Sequence, residues 1–298
     1  MLFPELTPSE KRKKFREQLS SGKLLEFPGA FSPLTAMLIE KKNFDGVYIS
    51  GSVLSNDLGY PDIGLTTLPE VSQRGRQIAR ATSLPCLIDI DTGFGEPMNV
   101  TRTIQEMIEM GLCAVHIEDQ MNPKRCGHLD NKAIVSKEEM VKKIRAAALG
   151  KKLDSHFLIM ARTDAKASEG IESAIDRAKA YIDAGAEAIF PEALNDEKEF
   201  EQFRKAISVP LLANMTEFGK SKLLTKKQLA NLGFNIVIYP VSTLRIAMKA
   251  VERGLDSLIQ EGNLEKVLPD MQTRKELYEL TRYEEYNQFD QGIFNFKL

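Results

Sequence analysis

Three stretches of this chain repeat one short pattern: a glycine, an apolar run, then a polar or turn residue. They are Gly111-LCAVHI-Glu118, Gly185-AEAIFP-Glu192 and Gly233-FNIVIY-Pro240, and Asn43-FDGVYI-Ser50 repeats the shape with asparagine in first place. Glycine and asparagine tolerate the left-handed backbone that closes a helix at its C-terminus. An apolar run without alternation then reads as a strand buried on both faces, as strands of parallel sheets are. The repeat is therefore a helix-to-strand joint, and a chain that uses it four times alternates helices with parallel strands.

Counting every such run gives eight strands, over residues 24–28, 46–50, 86–91, 114–118, 157–164, 188–192, 211–214 and 236–239. Helical patterns lie between them. In 170–184, Ile171, Ala174, Ile175, Ala178, Tyr181 and Ile182 recur at helical spacing. Ser136 with Glu139 three residues on forms a capping box, and other helices start near Pro69, Asn99 and Thr225. Eight strands alternating with helices predict a (β/α)8 TIM-type barrel, with an open doubly wound sheet as the alternative. No Pro-, Gly- or Ser-rich linker divides the chain, so residues 1–298 read as one domain. Residues 1–23 form a leading helix whose basic run, 11–16, reads as a solvated face. Residues 262–298 form a helical C-terminal extension. Its Leu277, Tyr278, Leu280, Tyr283, Tyr286, Phe289, Phe294 and Phe296 ask for a neighbouring subunit or for a place on the chain's own barrel.

Composition narrows the function. Lys and Arg number 40 against 42 Asp and Glu, a formal net charge of −2, which draws the chain to neither nucleic acid nor an anionic membrane. Apolar stretches fall far short of the roughly 20 residues of a membrane helix. The N-terminus has no apolar core of a secretory signal. Three cysteines, Cys86, Cys113 and Cys126, make no disulfide framework, so a reducing, cytoplasmic setting is expected.

Barrels of this type carry their active site at the C-terminal ends of the strands. Those ends supply Ser50, Asp89, Asp91, His116, Glu118, Arg162, Asp164, Glu192, Asn214 and Thr216. Asp89/Asp91, His116/Glu118, Arg162/Asp164 and Asn214/Thr216 stand two apart, and side chains two apart on a strand share a face. Such groups are costly to bury unpaired, which argues for a site. Asp89 and Asp91, followed by a glycine turn, suit Mg²⁺, a salt bridge or helix cap being the plainer reading. Zinc is disfavoured because His116, His128 and His156 and the cysteines show no ligand spacing. The GFG of 93–95 lacks the third glycine of a dinucleotide fingerprint. In the loop 124–128, two cations precede Cys126 and His128 follows, a setting that favours thiolate and proton exchange; a surface loop with an incidental cysteine is equally open. Arg162, Arg245 and Arg274 are candidate carboxylate forks. Only Arg162 ends a strand; the other two sit on helical segments where a solvated arginine is the simpler reading.

At these residues the chain resembles the isocitrate lyase/phosphoenolpyruvate mutase superfamily, the methylisocitrate lyases most closely. The matching motifs are FPGAF (27–31), SGS (50–52), GYPD (59–62), DIDTGFG (89–95), HIEDQ (116–120), KRCGH (124–128), MARTDA (160–165), FPEA (190–193), NMTEFG (214–219), YPVS (239–242) and MQTR (271–274). The resemblance implies a Mg²⁺-dependent retro-aldol cleavage of (2S,3R)-2-methylisocitrate to pyruvate and succinate in propionate breakdown, with Mn²⁺ as a substitute metal. By motif it puts Mg²⁺ on Asp89 and Asp91, assisted through water by Glu118 and Asp62. It makes Cys126 the acid/base. It places Ser50, Gly51, Ser52, Gly127, His128, Arg162, Glu192, Asn214, Met215, Thr216, Arg245 and Arg274 around the substrate. It further implies a homotetramer whose last barrel helix is exchanged between neighbours. Where SGG is expected, this chain reads Ser50-Gly51-Ser52, which bears on substrate size. Within the superfamily the competing activities are isocitrate lyase, oxaloacetate hydrolase and phosphonomutase, the last disfavoured by KRCGH. A catalytically inactive binding scaffold is the non-enzyme alternative.

Overall fold

The structure is a computed structural model describing residues 5–125, 127 and 132–295. All eight expected strands form: β1 Leu25–Pro28, β2 Val47–Ile49, β3 Cys86–Asp89, β4 Ala114–Glu118, β5 Leu158–Thr163, β6 Ala188–Pro191, β7 Leu212–Asn214 and β8 Ile236–Tyr239. Every pairing is parallel. β2 to β6 pair in sequence order, and β8 lies between β1 and β7. Single bridges, Gly29 to Tyr48 and Ile189 to Leu211, join the two groups at both seams, so the sheet closes on itself. The fold is the (β/α)8 barrel and not the open sheet.

The joints work as their residues dictate. Gly111, Gly185 and Gly233 take φ of 86°, 117° and 78°, and Asn43 takes 61°, each reversing the chain from helix end to strand start. The helix Lys137–Gly150 opens on the expected box, Ser136 Oγ accepting from the Glu139 N–H at 3.2 Å and Glu139 accepting from the Ser136 N–H at 2.9 Å. Alternation along the strands sorts two apolar layers. Val115, Ile117, Ile159, Ala161 and Ile189 pack outward under the helices. Leu25, Phe27, Leu87, Ala114, Leu158, Met160, Ala188, Phe190, Leu212, Ile236 and Ile238 fill the lumen. Followed toward the C-terminal ends, the inward file turns polar: Leu158 and Met160 lead to Arg162, and Leu212 leads to Asn214. That change of character puts the chemistry at one mouth of the barrel.

The opposite mouth is closed by the first helix, Pro8–Ser20, and here the sequence expectation is corrected. The basic run is not simply solvated: Lys11 and Arg12 are each only 4% exposed, while Lys13 and Lys14 do face solvent. Phe15 and Leu19 plug the lumen. Lys11 Nζ donates to the Ala79 carbonyl at 2.9 Å, and Arg12 Nε to the Leu112 carbonyl at 2.7 Å. Arg12 also donates to the Ile108 carbonyl and pairs with Asp154 at 2.7 Å, and Arg16 reaches the carbonyls of His156 and Phe157. Carbonyls at and just past helix C-termini are left without intrahelical donors and carry the negative end of the dipole, so the cations collect there. Removing one member of a buried pair costs about 3–5 kcal/mol. Arg12→Met is therefore expected to lower the unfolding free energy by about 3 kcal/mol, read as a shifted urea midpoint at unchanged slope. Burial works against the Asp154 charge, but Arg12 and the His156 N–H outweigh it and hold the carboxyl below its usual range. That contribution is full above the ordinary aspartate value of about 3.9 and lost as pH falls through the lower folded one. The advantage of the parent chain over Asp154→Asn should accordingly shrink below about pH 4.

After β8 the helix Ser242–Glu261 buries one residue, Ser257. Its Ile246 and Ile259 are 70% and 83% exposed, and Met248, Val251 and Leu255 are exposed with them. The tail is divided. Leu280 of the helix Arg274–Leu280 is buried, and that helix approaches Pro33–Lys41 through an ion pair of Glu279 with Lys41 at 3.8 Å. Tyr283, Tyr286 and Phe294 of Tyr283–Phe294 stay exposed, and Phe296 lies outside the described residues. Among the described residues no helix is long and apolar enough to cross a membrane.

Candidate active site

The polar mouth holds a cavity of about 220 Å³ whose wall includes Tyr48, Ser50, Ser52, Asp62, Asp89, Lys124, Gly127, Arg162, Glu192, Asn214, Thr216 and Arg245. Each of the strands β2 to β7 contributes at or just beyond its C-terminal end. Most residues singled out in the sequence therefore converge here. Cys126 and His128 lie outside the described residues.

Asp89 and Asp91 meet, but not by strand alternation. β3 ends at Asp89, and Asp91 sits in the left-handed region at φ 48°. The turn brings its N–H onto Asp89 Oδ1 at 2.9 Å. Both carboxylates face the backbone of Gly51, where a Cβ would lie 3.0 Å from Asp89 Oδ2 and 3.0 Å from Asp91 Oδ1. Glycine at 51 leaves that space open, and its N–H donates to Asp89 Oδ2 at 3.3 Å.

Lys124 occupies the centre of this acidic cluster. Its side chain is 3% exposed and pairs with Asp62 and, at 2.7 Å, with Asp91. Burial would discharge the ammonium, but Asp91, Glu118, Asp89 and Asp62 outweigh it and keep Lys124 charged. Burial pushes Asp91 up to about 6 in spite of Lys124. For Asp89 burial is overcome by His116, Lys124 and Arg162, which hold it below the usual carboxylate range. Glu118, wholly buried, is raised by desolvation, and neither of its oxygens accepts a hydrogen bond.

Arg162 is the second hub. Asp164 grips its fork, Nε to Oδ2 at 2.9 Å and Nη2 to Oδ1 at 3.1 Å, while Glu118 and Glu192 approach at 3.2 and 3.3 Å. Asn214 Nδ2 reaches both oxygens of Glu192 at 3.4 Å. Gly127 presses against this group, for a Cβ there would fall 2.4 Å from Arg162 Nη2 and 2.6 Å from Glu192 Cγ. Arg245 closes the rim, donating to Thr216 Oγ1 at 3.4 Å and to the Glu217 carbonyl at 2.7 Å.

Two expected binders are not brought in. Met215 turns its side chain into the outer apolar layer, where its sulfur accepts from the Leu224 N–H at 3.2 Å; alternation places it opposite Asn214 and Thr216. Arg274 is exposed at the start of its helix on the barrel flank and does not line the cavity.

Tyr48 and Lys124 are wall residues outside the expected set. Tyr48 stands two before Ser50 on the same file of β2, and that spacing could have revealed it. Its hydroxyl lies 2.8 Å from His116 Nε2, while His116 Nδ1 lies 3.6 Å from Asp89. Burial, opposed by Asp89, holds His116 down to about 4.

Among the described residues no group of three or more His, Cys, Asp or Glu side chains is placed to hold a metal ion. Mg²⁺ does not need such a group, since it binds through one or two carboxylates and keeps waters. The cluster suits such an ion. Among the described residues the ammonium in this cluster is that of Lys124, paired with Asp62 and Asp91 and influenced by Asp89 and Glu118, and the Arg162 guanidinium is shared among Glu118, Asp164 and Glu192.

Comparison with known proteins agrees with the barrel fold. The family model described as phosphoenolpyruvate phosphomutase matches residues 15–259. Among curated proteins, the chain is 54% identical over 291 residues to a probable 2-methylisocitrate lyase 2 of Corynebacterium glutamicum, covering 98% of this chain and 94% of that one. It is 49% identical over 280 residues to the 2-methylisocitrate lyase of Halalkalibacterium halodurans, covering 94% and 92%. Among solved structures, an oxaloacetate acetylhydrolase with the inhibitor 3,3-difluorooxalacetate superposes with a TM-score of 0.92 at 32% identity, covering 98% and 99%. A phosphonopyruvate hydrolase in complex with oxalate and Mg²⁺ superposes at 0.86 with 31% identity, covering 96% and 99%.

Proposed function

The chain belongs to the phosphoenolpyruvate phosphomutase family, and on that premise we propose that it is a carbon–carbon lyase cleaving (2S,3R)-2-methylisocitrate to pyruvate and succinate. The observation that carries the reading is the split of the cavity into two poles. One is a carboxylate cluster suited to a divalent cation; the other is a set of arginine and amide donors suited to carboxylates. A tricarboxylate with one hydroxyl requires both.

In the reaction one proton leaves the hydroxyl, the carbon–carbon bond gives its electron pair to the succinate half, and one proton arrives at that carbon. Asp89 and Asp91 would hold Mg²⁺ or Mn²⁺, with Asp62 and Glu118 beyond. When bound, the cation supplies Lewis-acid stabilisation of developing oxygen charge. The protein's residues do the rest. Ser50, Gly51 and Ser52 face the keto-acid end. Arg162, held in one orientation by Asp164, offers its fork to a carboxylate, and Asn214, Thr216 and Arg245 offer neutral and charged donors. Glu192 orients Asn214. Cys126 is assigned the proton at carbon, with Gly127 and His128 beside it. The homotetramer with an exchanged last helix belongs to this reading and is supported by the uncovered apolar face of Ser242–Glu261; so do the single domain and the cytoplasmic setting.

The test is product analysis by mass spectrometry after incubation with Mg²⁺ and a mixture of methylisocitrate, isocitrate and oxaloacetate. Pyruvate with succinate is the expected pair. Glyoxylate with succinate as the dominant pair would replace the reading by isocitrate cleavage. Oxalate with acetate would replace it by oxaloacetate hydrolysis, the activity favoured by the superposition at 0.92. No turnover of any of the three would leave a binding scaffold.

A further inference from the structure

We infer that Lys132 is a positioning residue that locks the backbone after β4 onto the substrate-facing arginine. The Lys132 side chain is 3% exposed and its ammonium serves two partners at once. It donates to the Gly127 carbonyl and pairs with Asp164 Oδ1 at 2.7 Å. Asp164 is the same carboxylate that grips the Arg162 fork, and Gly127 is the residue pressed against Arg162 Nη2. Lys132, Asp164, Arg162 and Gly127 thus close a ring in which no member shifts alone.

The ring is anchored from behind. The Asp164 N–H donates to Asp119 Oδ1 at 2.8 Å, and Asp119 Oδ2 accepts from the hydroxyls of Thr163 and Tyr181, both at 2.8 Å. On the other flank of position 126, Gln120 takes both backbone groups of Arg125, Nε2 to the carbonyl at 2.8 Å and the N–H to Oε1 at 2.9 Å. Gln120 holds 125 without touching Asp164; Lys132 holds 127 and does touch it. Among the described residues it is Lys132 that ties residue 127 to the carboxylate-binding pole. A neutral side chain at 132 leaves Asp164 with Arg162 as its one close cation among the described residues and removes the Gly127 carbonyl's donor.

The kinetic arm of the test rests on the lyase reading; the second arm does not. Lys132→Met and Lys132→Arg are compared with the parent chain for kcat and KM on 2-methylisocitrate with Mg²⁺. Separately, limited trypsin cleavage after Arg125 is followed by mass spectrometry without substrate. Misplacement of binding groups by about 1 Å can cost about 100-fold. Lys132→Met should lose about that factor in kcat/KM, shared between a raised KM and a lowered kcat, and should be cut after Arg125 at least about fivefold faster as the segment opens locally. Lys132→Arg, which keeps the charge and can still span both partners, should stay within about tenfold of the parent and be cut at the parent's rate. The inference is overturned if Lys132→Met matches the parent in kcat, KM and cleavage, or if Lys132→Arg is as damaged as Lys132→Met. Should Lys132→Met fail to fold, Lys132→Gln takes its place with the same expectations. If the parent does not cleave methylisocitrate, the lyase reading falls and the trypsin arm decides alone: unchanged cleavage after Arg125 in the neutral variant rejects the role of Lys132.

Discussion

Cys126→Ser should lower turnover at least about 100-fold while leaving binding of the divalent metal and of pyruvate near the parent's. The electron pair left on the departing carbon must be taken up by a proton to complete turnover, and proton delivery by a positioned acid contributes roughly 10²–10⁴-fold. Serine keeps the size of the side chain and the backbone, which Gln120 and Lys132 hold at residues 125 and 127. It exchanges a thiol for a hydroxyl that is a far weaker acid. The loss should thus fall on kcat, with KM changing little. The other thiols serve as internal controls. Cys86 and Cys113 are buried, and desolvation pushes Cys113 up to about 11 and Cys86 higher. Alkylation near neutral pH should label Cys126 in the folded chain and spare those two. Near-parental kcat in Cys126→Ser would take this residue out of the chemistry.

The barrel was legible because each of its joints is local. A positive-φ glycine such as Gly185 and the apolar run behind it lie within eight residues, so a short window holds both the end of one helix and the start of the next strand. The site was legible where alternation carries it, as at His116 and Glu118 or at Asn214 and Thr216. The route to Asp91 was not: it comes to Asp89 through a left-handed turn after the strand has ended, and Met215, placed by motif, faces out between two inward residues. Long-range partners left no local mark. The basic run 11–16 reads as a solvated face until the carbonyls of Ala79 and Leu112 are in place. Lys124 reads as a neighbour of the cysteine, not as the cation between Asp62 and Asp91. Lys132 carries no pattern at all; its meaning comes from Gly127, which must lack a side chain to lie against Arg162. Arg274 was placed by motif alone, and nothing in its surroundings along the chain tells on which side of the barrel it ends.

Chelation followed by readdition of Mg²⁺ should move both activity and stability, and Asp89→Asn should lose both responses. In the metal-free chain Asp62, Asp89, Asp91 and Glu118 repel one another in a buried volume with Lys124 between them, a native-state cost that a bound dication relieves. A ligand at 100 times its Kd stabilises by about 2.7 kcal/mol. At about 2–4 °C per kcal/mol for a chain near this size, saturating Mg²⁺ should raise the Tm by roughly 5–10 °C. EDTA should abolish turnover, and Mg²⁺ or Mn²⁺ should restore it. In Asp89→Asn one negative charge is gone and the shape is kept. The metal-free variant should melt somewhat lower than the metal-free parent, because Lys124, Arg162 and the Asp91 N–H favour the charge that is lost. Its Tm should hardly respond to Mg²⁺, and its turnover should fall at least about 1,000-fold, the equivalent of about 4 kcal/mol of lost transition-state stabilisation. The two readings of Asp89 part at that point. A merely structural aspartate, held by the Gly51 and Asp91 N–H groups, would leave the Mg²⁺-induced shift intact in Asp89→Asn.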